Sequence, residues 1–309
     1  MTIVFFGSAD FAVPSLDALA QSRHRVCAVV TTPPRPRGRG LRFAVSPVSA
    51  AAARLGIDRL YTPDSLNEHS FVEELASLGA DLFVVVAYRI LPEEVFTLPP
   101  QGTYNVHASL LPAYRGPAPI HRAIASGERV TGVTVFKIDS GIDTGALVLQ
   151  RSCPIGDTET TPQLYERLSS LGAQSLLAAL DSLEQGAPLH PQSASSVLCH
   201  APKLRKEESR IDWGMDAGCI FNRIRAFKPF PGTHTLHGGK RLALEWGIPS
   251  TCRGSAPPGT VLAIEDQGFL VACGSGALEL LRVRPEGKGT MDGAAYARGA
   301  RLKAGERLG

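Results

Sequence analysis

The segment Asp81-Leu-Phe-Val-Val-Val-Ala87 is the most strand-like stretch of the chain. A short apolar run without polar alternation is typical of a strand that is buried on both faces of a parallel sheet. Thr2-Ile-Val-Phe-Phe-Gly7 and Val26-Cys-Ala-Val-Val30 have the same character. We therefore expect these segments to be strands of one buried parallel sheet.

Helical patterns lie between these strands. Asp10 is expected to cap the first helix. A second helix is predicted to begin at Ser46-Pro47, because serine caps helices and proline suits the first helical position. A third is expected over about 72–78. This alternation predicts an α/β fold, a doubly wound and mainly parallel sheet of the Rossmann-like kind, with ligands beyond the carboxyl ends of its strands.

The last third of the chain has a different pattern. A long helical pattern over 160–186 is followed by a stretch rich in small residues and proline, which is typical of a linker. A helix and then alternating apolar segments joined by glycine-rich turns indicate antiparallel β structure. We predict an N-terminal domain over 1–189, a linker over 190–206 and a small C-terminal β-barrel over 207–309.

The length of 309 residues suits two domains, and the charge is unevenly distributed between them. Residues 1–202 hold 15 Lys and Arg against 18 Asp and Glu, a net charge of −3, whereas residues 203–309 hold 17 against 11, a net charge of +6. A basic C-terminal part indicates a polyanionic partner, most plausibly nucleic acid, although a solvated basic surface has the same composition.

Several classes of protein are disfavoured. The six cysteines form no C-x-x-C pair and have no histidines at zinc-site spacing, so we expect no disulfide framework and no metal. No apolar run reaches membrane-spanning length, so we expect a cytoplasmic protein without a membrane partner. A monomer is a separate expectation. The dinucleotide, P-loop and serine-hydrolase motifs are missing.

The segment Asn105-Val-His107 carries side chains suited to acyl transfer. If it ends a strand, Asn105 and His107 lie on one face. An amide N–H stabilises an oxyanion, and an imidazole moves a proton. Asp143, on a glycine-flanked turn, could orient His107 or accept a proton from the attacking amine through water. Each residue also has a structural interpretation, since histidines near strand ends and aspartates in such turns commonly bond only their surroundings.

Longer motifs strengthen the catalytic interpretation, because together they resemble the folate-dependent formyltransferases over nearly the whole chain. The motifs are Phe6-Gly7, Asp10-Phe11, Arg35-Pro36, Gly38-Arg39-Gly40, Ser46-Pro47-Val48, Val84-Val-Val-Ala-Tyr88, Asn105-Val-His107, Ser109-Leu-Leu-Pro112, Arg115-Gly116, Asp139-Ser-Gly-Ile-Asp-Thr-Gly145 and Lys203-Leu-Arg-Lys-Glu-Glu-Ser-Arg-Ile-Asp-Trp213. The resemblance implies that Asn105, His107 and Asp143 are catalytic, that 10-formyltetrahydrofolate is the formyl donor, and that the C-terminal barrel is an OB-fold domain.

The resemblance also implies a folate site. The residues expected to bind the folate are Val86, Tyr88, Ser109, Leu110, Leu111 and Pro112. Two positions depart from the family pattern. Arg89 stands where the family commonly has glycine, which could alter the shape or charge of the loop. Pro117 replaces a more usual alanine, which should stiffen the loop but leaves the chemical groups untouched.

An arginine-rich segment bears on the acceptor. Thr32-Pro-Pro-Arg-Pro-Arg-Gly-Arg-Gly-Leu-Arg42 holds four arginines and no acidic residue. A mobile basic loop between two elements suits the phosphates and grooves of a tRNA acceptor stem, although composition alone fits a basic loop without a partner equally well. The segment resembles the insertion of family members that act on charged tRNA. The resemblance implies that Arg35, Arg37, Arg39 and Arg42 bind tRNA.

Alternative functions share parts of this pattern. Glycinamide ribonucleotide formyltransferase usually lacks the second domain, whereas nucleotide-sugar formyltransferases and formyltetrahydrofolate dehydrogenase share both domains. A non-catalytic tRNA-binding protein would not need Asn105, His107 and Asp143. We therefore predict transfer of a formyl group to the α-amino group of methionyl initiator tRNA, for translation initiation, with an amino nucleotide sugar as the alternative acceptor.

Overall fold

The computed structural model describes residues 1–37, 42–193, 199–250 and 256–309. The strands are β1 (Thr2–Gly7), β2 (Arg25–Val30), β3 (Arg35–Arg37), β4 (Arg42–Ala44), β5 (Leu60–Tyr61), β6 (Leu82–Val86), β7 (Thr103–His107), β8 (Val130–Lys137), β9 (Leu147–Pro154), β10 (His234–His237), β11 (Lys240–Ser250), β12 (Val261–Ile264), β13 (Phe269–Ala272), β14 (Ala277–Pro285) and β15 (Met291–Asp292). The helices are α1 (Val13–Ala20), α2 (Pro47–Arg54), α3 (His69–Ser77), α4 (Glu93–Phe96), α5 (Pro119–Ala125), α6 (Thr161–Glu184), α7 (Ala217–Ala226) and α8 (Gly293–Ala300), with short 3-10 helices at Asp10–Ala12 and Lys206–Ser209.

The chain forms two compact units that are not continuous in sequence. The first contains Met1–Gly116, Val130–Pro154 and Tyr165–His200, and the second contains Pro117–Arg129, Ile155–Leu164 and Ala201–Gly309. The domain boundaries expected from the sequence, at residues 189 and 207, stay a prediction.

The first unit is built on a seven-stranded sheet with the order β5-β2-β1-β6-β7-β8-β9. Pairing is parallel from β5 through β7 and antiparallel where β8 and β9 are added. The expectation of a mainly parallel, Rossmann-like sheet is therefore confirmed. The chain builds outward from β1 to β5 on one side and then returns to β6 on the other. Ligands of such sheets bind beyond the carboxyl ends of the strands at this reversal.

The apolar character of the central strands explains their position. Every residue of β6 is buried, and Phe83 on β6 lies 5.2 Å from the ring of Phe6 on β1, centroid to centroid. Strands that are covered on both faces need apolar side chains on both faces. This is why apolar and polar residues do not alternate along them. The predicted cap of α2 is also present, because the Ser46 Oγ accepts a hydrogen bond of 2.9 Å from the Ser49 N–H.

The predicted role of Asp10 as a helix cap is wrong. A 3-10 turn separates Asp10 from α1, which begins at Val13 without a side-chain cap. The Asp10 carboxylate instead accepts hydrogen bonds from the Phe11 N–H, at 3.1 Å, and from the Tyr165 hydroxyl. Burial and this aspartate together raise the pKa of Tyr165, so its hydroxyl stays a donor.

The second unit contains an antiparallel sheet with the order β10-β11-β14-β13-β12, and β15 also pairs with β14. This barrel-like sheet confirms the fold class expected for the C-terminal part. The Gly238-Gly239 turn, with φ of 56° and 74°, connects β10 and β11, as the glycine pair predicts. The sheet packs its apolar face against α7, including Ile220 and Ile224.

Residues 117–129 belong to this second unit although they precede it in sequence. Their helix α5 packs against α7. Arg122 on α5 also forms an ion pair of 2.6 Å with Glu208, and hydrogen bonds from Arg122 hold the pKa of Glu208 below its usual range.

A membrane-crossing helix would need a longer apolar stretch than any helix in the described ranges possesses.

Candidate active site

The chain takes unusual backbone conformations around the end of β7. Among the described residues, Ala87, Tyr114 and Asp143 are three of the four non-glycine residues with positive φ, at 47°, 60° and 55°. Ala87 follows β6, Tyr114 follows β7, and Asp143 lies in the loop between β8 and β9. The left-handed conformation costs about 1 kcal/mol for such residues, and strain of this kind clusters at functional sites.

His107 is the last residue of β7, and its ring orientation is fixed by the backbone. Its Nε2 lies 2.9 Å from the Tyr114 carbonyl oxygen. A carbonyl oxygen can only accept, so Nε2 carries a hydrogen in both protonation states of the ring. The other nitrogen, Nδ1, therefore carries the free lone pair of the neutral ring. It lies 3.7 Å from Asp143 Oδ2, and the two side chains are 7% and 16% exposed.

Asp143 is held by contacts to its side chain and to its turn. Its Oδ2 accepts a hydrogen bond of 2.8 Å from the Gly116 N–H. Within the turn, Asp139 Oδ1 accepts hydrogen bonds from the Gly141 N–H and the Thr144 hydroxyl, at 3.1 and 2.6 Å. Since 3.7 Å exceeds a normal hydrogen bond, Asp143 acts on His107 mainly through its charge.

Asn105 completes the group of predicted catalytic residues. It lies two residues before His107 on β7 and is half-buried, with Val106 between them buried in the core. The period of two in a strand places the Asn105 and His107 side chains on one face, as the sequence predicts. The part of the chain that the structure describes contains no hydrogen-bond partner for the Asn105 amide. Its N–H groups are thus available to a ligand.

The segment 109–112, expected to contact folate, is held by Thr134 on β8. The buried Thr134 hydroxyl donates to the Ser109 carbonyl at 2.7 Å and accepts from the Leu111 N–H at 3.1 Å. Gln150 donates to the same hydroxyl and to the Leu111 carbonyl, at 2.9 and 2.8 Å. The Ser109 hydroxyl itself is fully buried and donates to the Ala113 carbonyl. Leu110 and Pro112 are partly exposed and Leu111 is buried.

The folate residues expected at the end of β6 and just after it differ in what they can offer. Val86 is fully buried, so it presents only backbone to a ligand. The Tyr88 ring packs 5.8 Å from that of Phe6, and its hydroxyl donates to the Thr31 carbonyl at 3.3 Å. Burial raises the pKa of Tyr88, while a hydrogen bond with Arg89 opposes the shift. Tyr88 thus presents a neutral phenol.

The two departures from the family pattern have simple structural settings. Arg89 donates hydrogen bonds to the carbonyl groups of Pro63 and Asp64. Its φ is not positive, so replacement of the usual glycine strains no backbone. Pro117 is exposed and follows Gly116, whose φ is 118°.

The arginine-rich segment contains a short hairpin that the sequence did not predict. In it, β3 and β4 pair so that Arg35 faces Ala44 and Arg37 faces Arg42. Arg39 lies outside the described residues, and Arg35, Arg37 and Arg42 are described by their backbone. Phe43, which the sequence analysis did not single out, has a side chain that is 75% exposed.

Four residues that shape the site carry no sequence signal of their own. They are Tyr114, Thr134, Gln150 and Gln192, of which Gln192 hydrogen-bonds to Arg115 and to the turn that carries Asp143. Thr134, Gln150 and Gln192 act through partners that are distant in sequence, whereas a motif reports only local spacing. Tyr114 lies seven residues from His107 but acts through its backbone carbonyl, which any residue type could supply. The Leu-Leu-Pro and Asp-Thr-Gly motifs could have indicated that other residues hold these segments in place. They could not have indicated which residues these are.

One cluster of potential metal ligands occurs away from this site. Among the described residues, ligand atoms of His24, Asp181 and Glu184 lie within 4.8 Å of one another. The Arg23 guanidinium already contacts both carboxylates. Burial and the nearby N-terminus lower the pKa of His24. Arginine supplies the positive charge that a cation would bring, so the cluster is an ion-pair network.

Comparison with known proteins identifies relatives along the whole chain. Residues 1–180 match the family model for formyl transferase, and residues 203–301 match that for the formyl transferase C-terminal domain. The chain is 45% identical over 309 residues to the methionyl-tRNA formyltransferase of Jannaschia sp. (strain CCS1), with 100% of each chain covered.

Solved structures share the fold. HypX from Aquifex aeolicus in complex with tetrahydrofolic acid is 21% identical, with a TM-score of 0.62 over 96% of this chain and 46% of that chain, so this chain spans about half of that protein. An N-formyltransferase from Helicobacter canadensis, in complex with folinic acid and dTDP-3-aminofucose, is 19% identical, with a TM-score of 0.68 over 91% of this chain and 99% of that chain. At these identities the likeness concerns the fold alone.

The Thr134 network leads to the first prediction. Thr134→Val keeps the side-chain shape but leaves buried polar groups of Ser109 and Leu111 unpaired, which should cost about 1–3 kcal/mol of unfolding free energy. The 109–112 segment should shift, and affinity for tetrahydrofolate should fall by about tenfold, or about 1.4 kcal/mol. Urea denaturation and a fluorescence titration measure the two effects.

The matched control is Thr131→Val, because Thr131 is buried on the same strand but makes no hydrogen bond to the described 109–112 segment. It should leave tetrahydrofolate affinity within about twofold of wild type. Equal affinities for the two variants would show that Thr134 does not shape the folate segment.

Proposed function

The chain belongs to the formyl transferase family, and from this membership we propose that it transfers a formyl group from 10-formyltetrahydrofolate to the α-amino group of methionyl initiator tRNA. The choice of acceptor rests on the relative named methionyl-tRNA formyltransferase, to which this chain is 45% identical over its full length. The grouping of Asn105, His107 and Asp143 supports the chemistry. The product would serve translation initiation.

The reaction exchanges one carbon–nitrogen bond for another. The methionine amine forms a bond to the formyl carbon, the bond from that carbon to the folate nitrogen breaks, and one proton passes from the amine to the folate nitrogen. Negative charge develops on the formyl oxygen while both bonds are present. A site for this reaction therefore needs a hydrogen-bond donor for the oxyanion and a group that carries the proton.

We assign the oxyanion donor to Asn105. Its amide makes no hydrogen bond within the described residues, so binding an oxyanion requires no internal bond to break. Preorganised donors stabilise the transition state strongly, because they need not reorient as charge develops. The half-buried position of Asn105 also reduces competition from water.

The proton transfer is assigned to His107 Nδ1. Nε2 keeps its hydrogen on the Tyr114 carbonyl, so only Nδ1 can take up a proton from the amine and return one to the leaving nitrogen. The carboxylate of Asp143, 3.7 Å away, stabilises the imidazolium that exists between these steps. Asp143 can also assist removal of the amine proton through water.

The folate donor is shared by the family, and the residues of this chain fit it chemically. The segment 109–112 and the chain at the end of β6 offer apolar side chains and backbone polar groups, which suits a flat ring with polar edges. We propose that Val86, Tyr88, Ser109, Leu110, Leu111 and Pro112 line this pocket, with Val86 and Ser109 contributing through their backbone.

The tRNA is proposed to bind through two basic regions. The arginine-rich segment supplies Arg35, Arg37, Arg39 and Arg42, and the exposed Phe43 beside them offers a surface on which an unpaired base could stack. The net charge of +6 over residues 203–309 favours contacts to tRNA phosphates. We also propose that the protein acts as a monomer and in the cytoplasm, where charged tRNA is used.

The acceptor is tested by direct assay. Purified wild-type protein should formylate charged initiator tRNA with 10-formyltetrahydrofolate and should leave an amino nucleotide sugar unmodified. Formylated methionine and formylated sugar are both measured by mass spectrometry. Preferential formylation of the sugar would contradict the proposed acceptor, and no transfer to either would contradict the formyl transfer itself.

The oxyanion assignment predicts a large effect of Asn105→Ala. Loss of one oxyanion donor costs about 2.7–4 kcal/mol, so turnover should fall about a hundredfold to a thousandfold while folate affinity changes little. Steady-state formylation and a folate titration measure these quantities. Asn67→Ala, at an exposed asparagine, is the control and should behave as wild type. Turnover of Asn105→Ala within about threefold of wild type would rule out the assignment.

Arg39 is predicted to act in tRNA recognition. Flanking Gly38 and Gly40 permit close approach to RNA, and a planar guanidinium can contact a phosphate bidentately or stack on a base. Arg39→Ala should lower kcat/KM for charged initiator tRNA by about tenfold or more, equivalent to about 1.4 kcal/mol, and Arg39→Lys should recover part of the loss.

The control for Arg39 is Arg54→Ala, since Arg54 is also an exposed arginine but already pairs with Asp17 at 2.6 Å. It should keep wild-type efficiency with tRNA. Folate affinity should hardly change in any of these variants. Equal efficiencies for Arg39→Ala and wild type would leave the segment a solvated surface feature.

A further inference from the structure

The beginning of the segment expected to be a linker, up to His200, belongs to the first unit. His190 pairs with Leu147 through hydrogen bonds of 2.7 and 2.9 Å between their backbones. Further along, the Cys199 carbonyl accepts a hydrogen bond of 2.6 Å from the Tyr114 N–H. Tyr114 is the residue whose carbonyl orients His107. His190 therefore lies beside the start of β9, and Cys199 lies beside the segment that follows β7.

Gln192 lies between these two contacts and bridges the two segments with its side-chain amide. The Oε1 accepts hydrogen bonds from Nε and a terminal nitrogen of Arg115, at 3.2 and 2.5 Å. The Nε2 donates to the carbonyl oxygens of Asp143 and Gly145, at 2.9 Å each. The amide is thus fully used, with two donated and two accepted hydrogen bonds.

The chemistry of these contacts selects glutamine. A glutamate would place a second negative oxygen against two carbonyl groups, and a lysine would offer no acceptor to Arg115. An asparagine has a side chain one methylene shorter. The partners themselves are also informative: Arg115 lies between Tyr114, which holds His107, and Gly116, whose N–H holds the Asp143 carboxylate.

We propose that Gln192 is a positioning residue for formyl transfer, which fixes the Asp143 carboxylate against His107 Nδ1 by tying the Asp143 turn to Arg115. The proposal rests on the function proposed above. Asp143 has a φ of 55°, in the left-handed region that few non-glycine residues adopt, and Gln192 bonds to its carbonyl group from outside the turn. Catalysis depends on such placement, because a shift of about 1 Å can cost about a hundredfold in rate.

If Gln192 has this role, the turnover of a C-terminally truncated chain reports on two effects at once. Removing the chain after residue 190 would take away Gln192 and Cys199 together with the part of the second unit that begins at Ala201. A loss of turnover in such a fragment would then combine lost tRNA contacts with a displaced Asp143. Point variants of Gln192 in the full-length chain separate the two.

The test begins with Gln192→Ala and Gln192→Glu in the full-length protein. Both should lower kcat by about tenfold to a hundredfold. The KM for 10-formyltetrahydrofolate and for charged initiator tRNA should stay within about threefold of wild type, because neither substrate is expected to contact Gln192. Thermal unfolding monitors the fold of each variant. Gln185→Ala, at an exposed glutamine next to α6, is the matched control and should keep wild-type kinetics.

A double-mutant cycle then distinguishes positioning from general stability. If Gln192 acts through Asp143, adding Gln192→Ala to an Asp143→Ala background should lower the single-turnover rate by less than about twofold, although it costs tenfold or more in wild type. A factor that multiplies equally in both backgrounds would overturn the proposal, as would a kcat for Gln192→Ala within about twofold of wild type. Inactivity of wild type on methionyl-tRNA would instead contradict the proposed function.

Discussion

The hydrogen bond from His107 Nε2 to the Tyr114 carbonyl is the interaction on which the proposed chemistry depends. It places a hydrogen on Nε2 and leaves Nδ1 as the ring nitrogen that faces Asp143. With Nε2 committed, Nδ1 and Asp143 form the only proton-active pair within this group of predicted catalytic residues. Reversal of the ring would direct the nitrogen with the free lone pair at a backbone oxygen, and not at Asp143.

The backbone that supplies this carbonyl is itself held in an unfavourable conformation. Tyr114 has a φ of 60° and Asp143 a φ of 55°, each at a cost of about 1 kcal/mol. The cost is offset by contacts from outside: the Tyr114 N–H bonds to Cys199, and the Asp143 turn bonds to Gly116 and Gln192. Strained residues with so many external anchors have little freedom to relax, which suits groups that must stay in register for proton transfer.

The extent to which the sequence predicted this arrangement follows from the range of the interactions. The β6 strand, the Ser46 cap and the Gly238-Gly239 turn were predictable, because burial on two faces, capping and positive φ leave local patterns. The Asp10 cap was wrong, because a 3-10 turn intervened and the carboxylate found a partner in Tyr165, which lies 155 residues away in sequence. Gln192 was hidden within a segment whose composition indicates only a linker.

A single stretch of chain, 105–116, carries most of the site and explains why distant anchors are needed. It contributes the Asn105 amide, the His107 ring, the 109–112 segment and the Gly116 N–H in direct succession. Since these groups share one backbone, a shift at one point is passed to the others. Thr134 and Gln150 restrain its middle, while Gln192 and Cys199 restrain its end. The four anchors come from β8, β9 and the segment after α6. These elements together set the position of the proposed folate segment and of the proposed proton-transfer pair. No single sequence motif contains all of them.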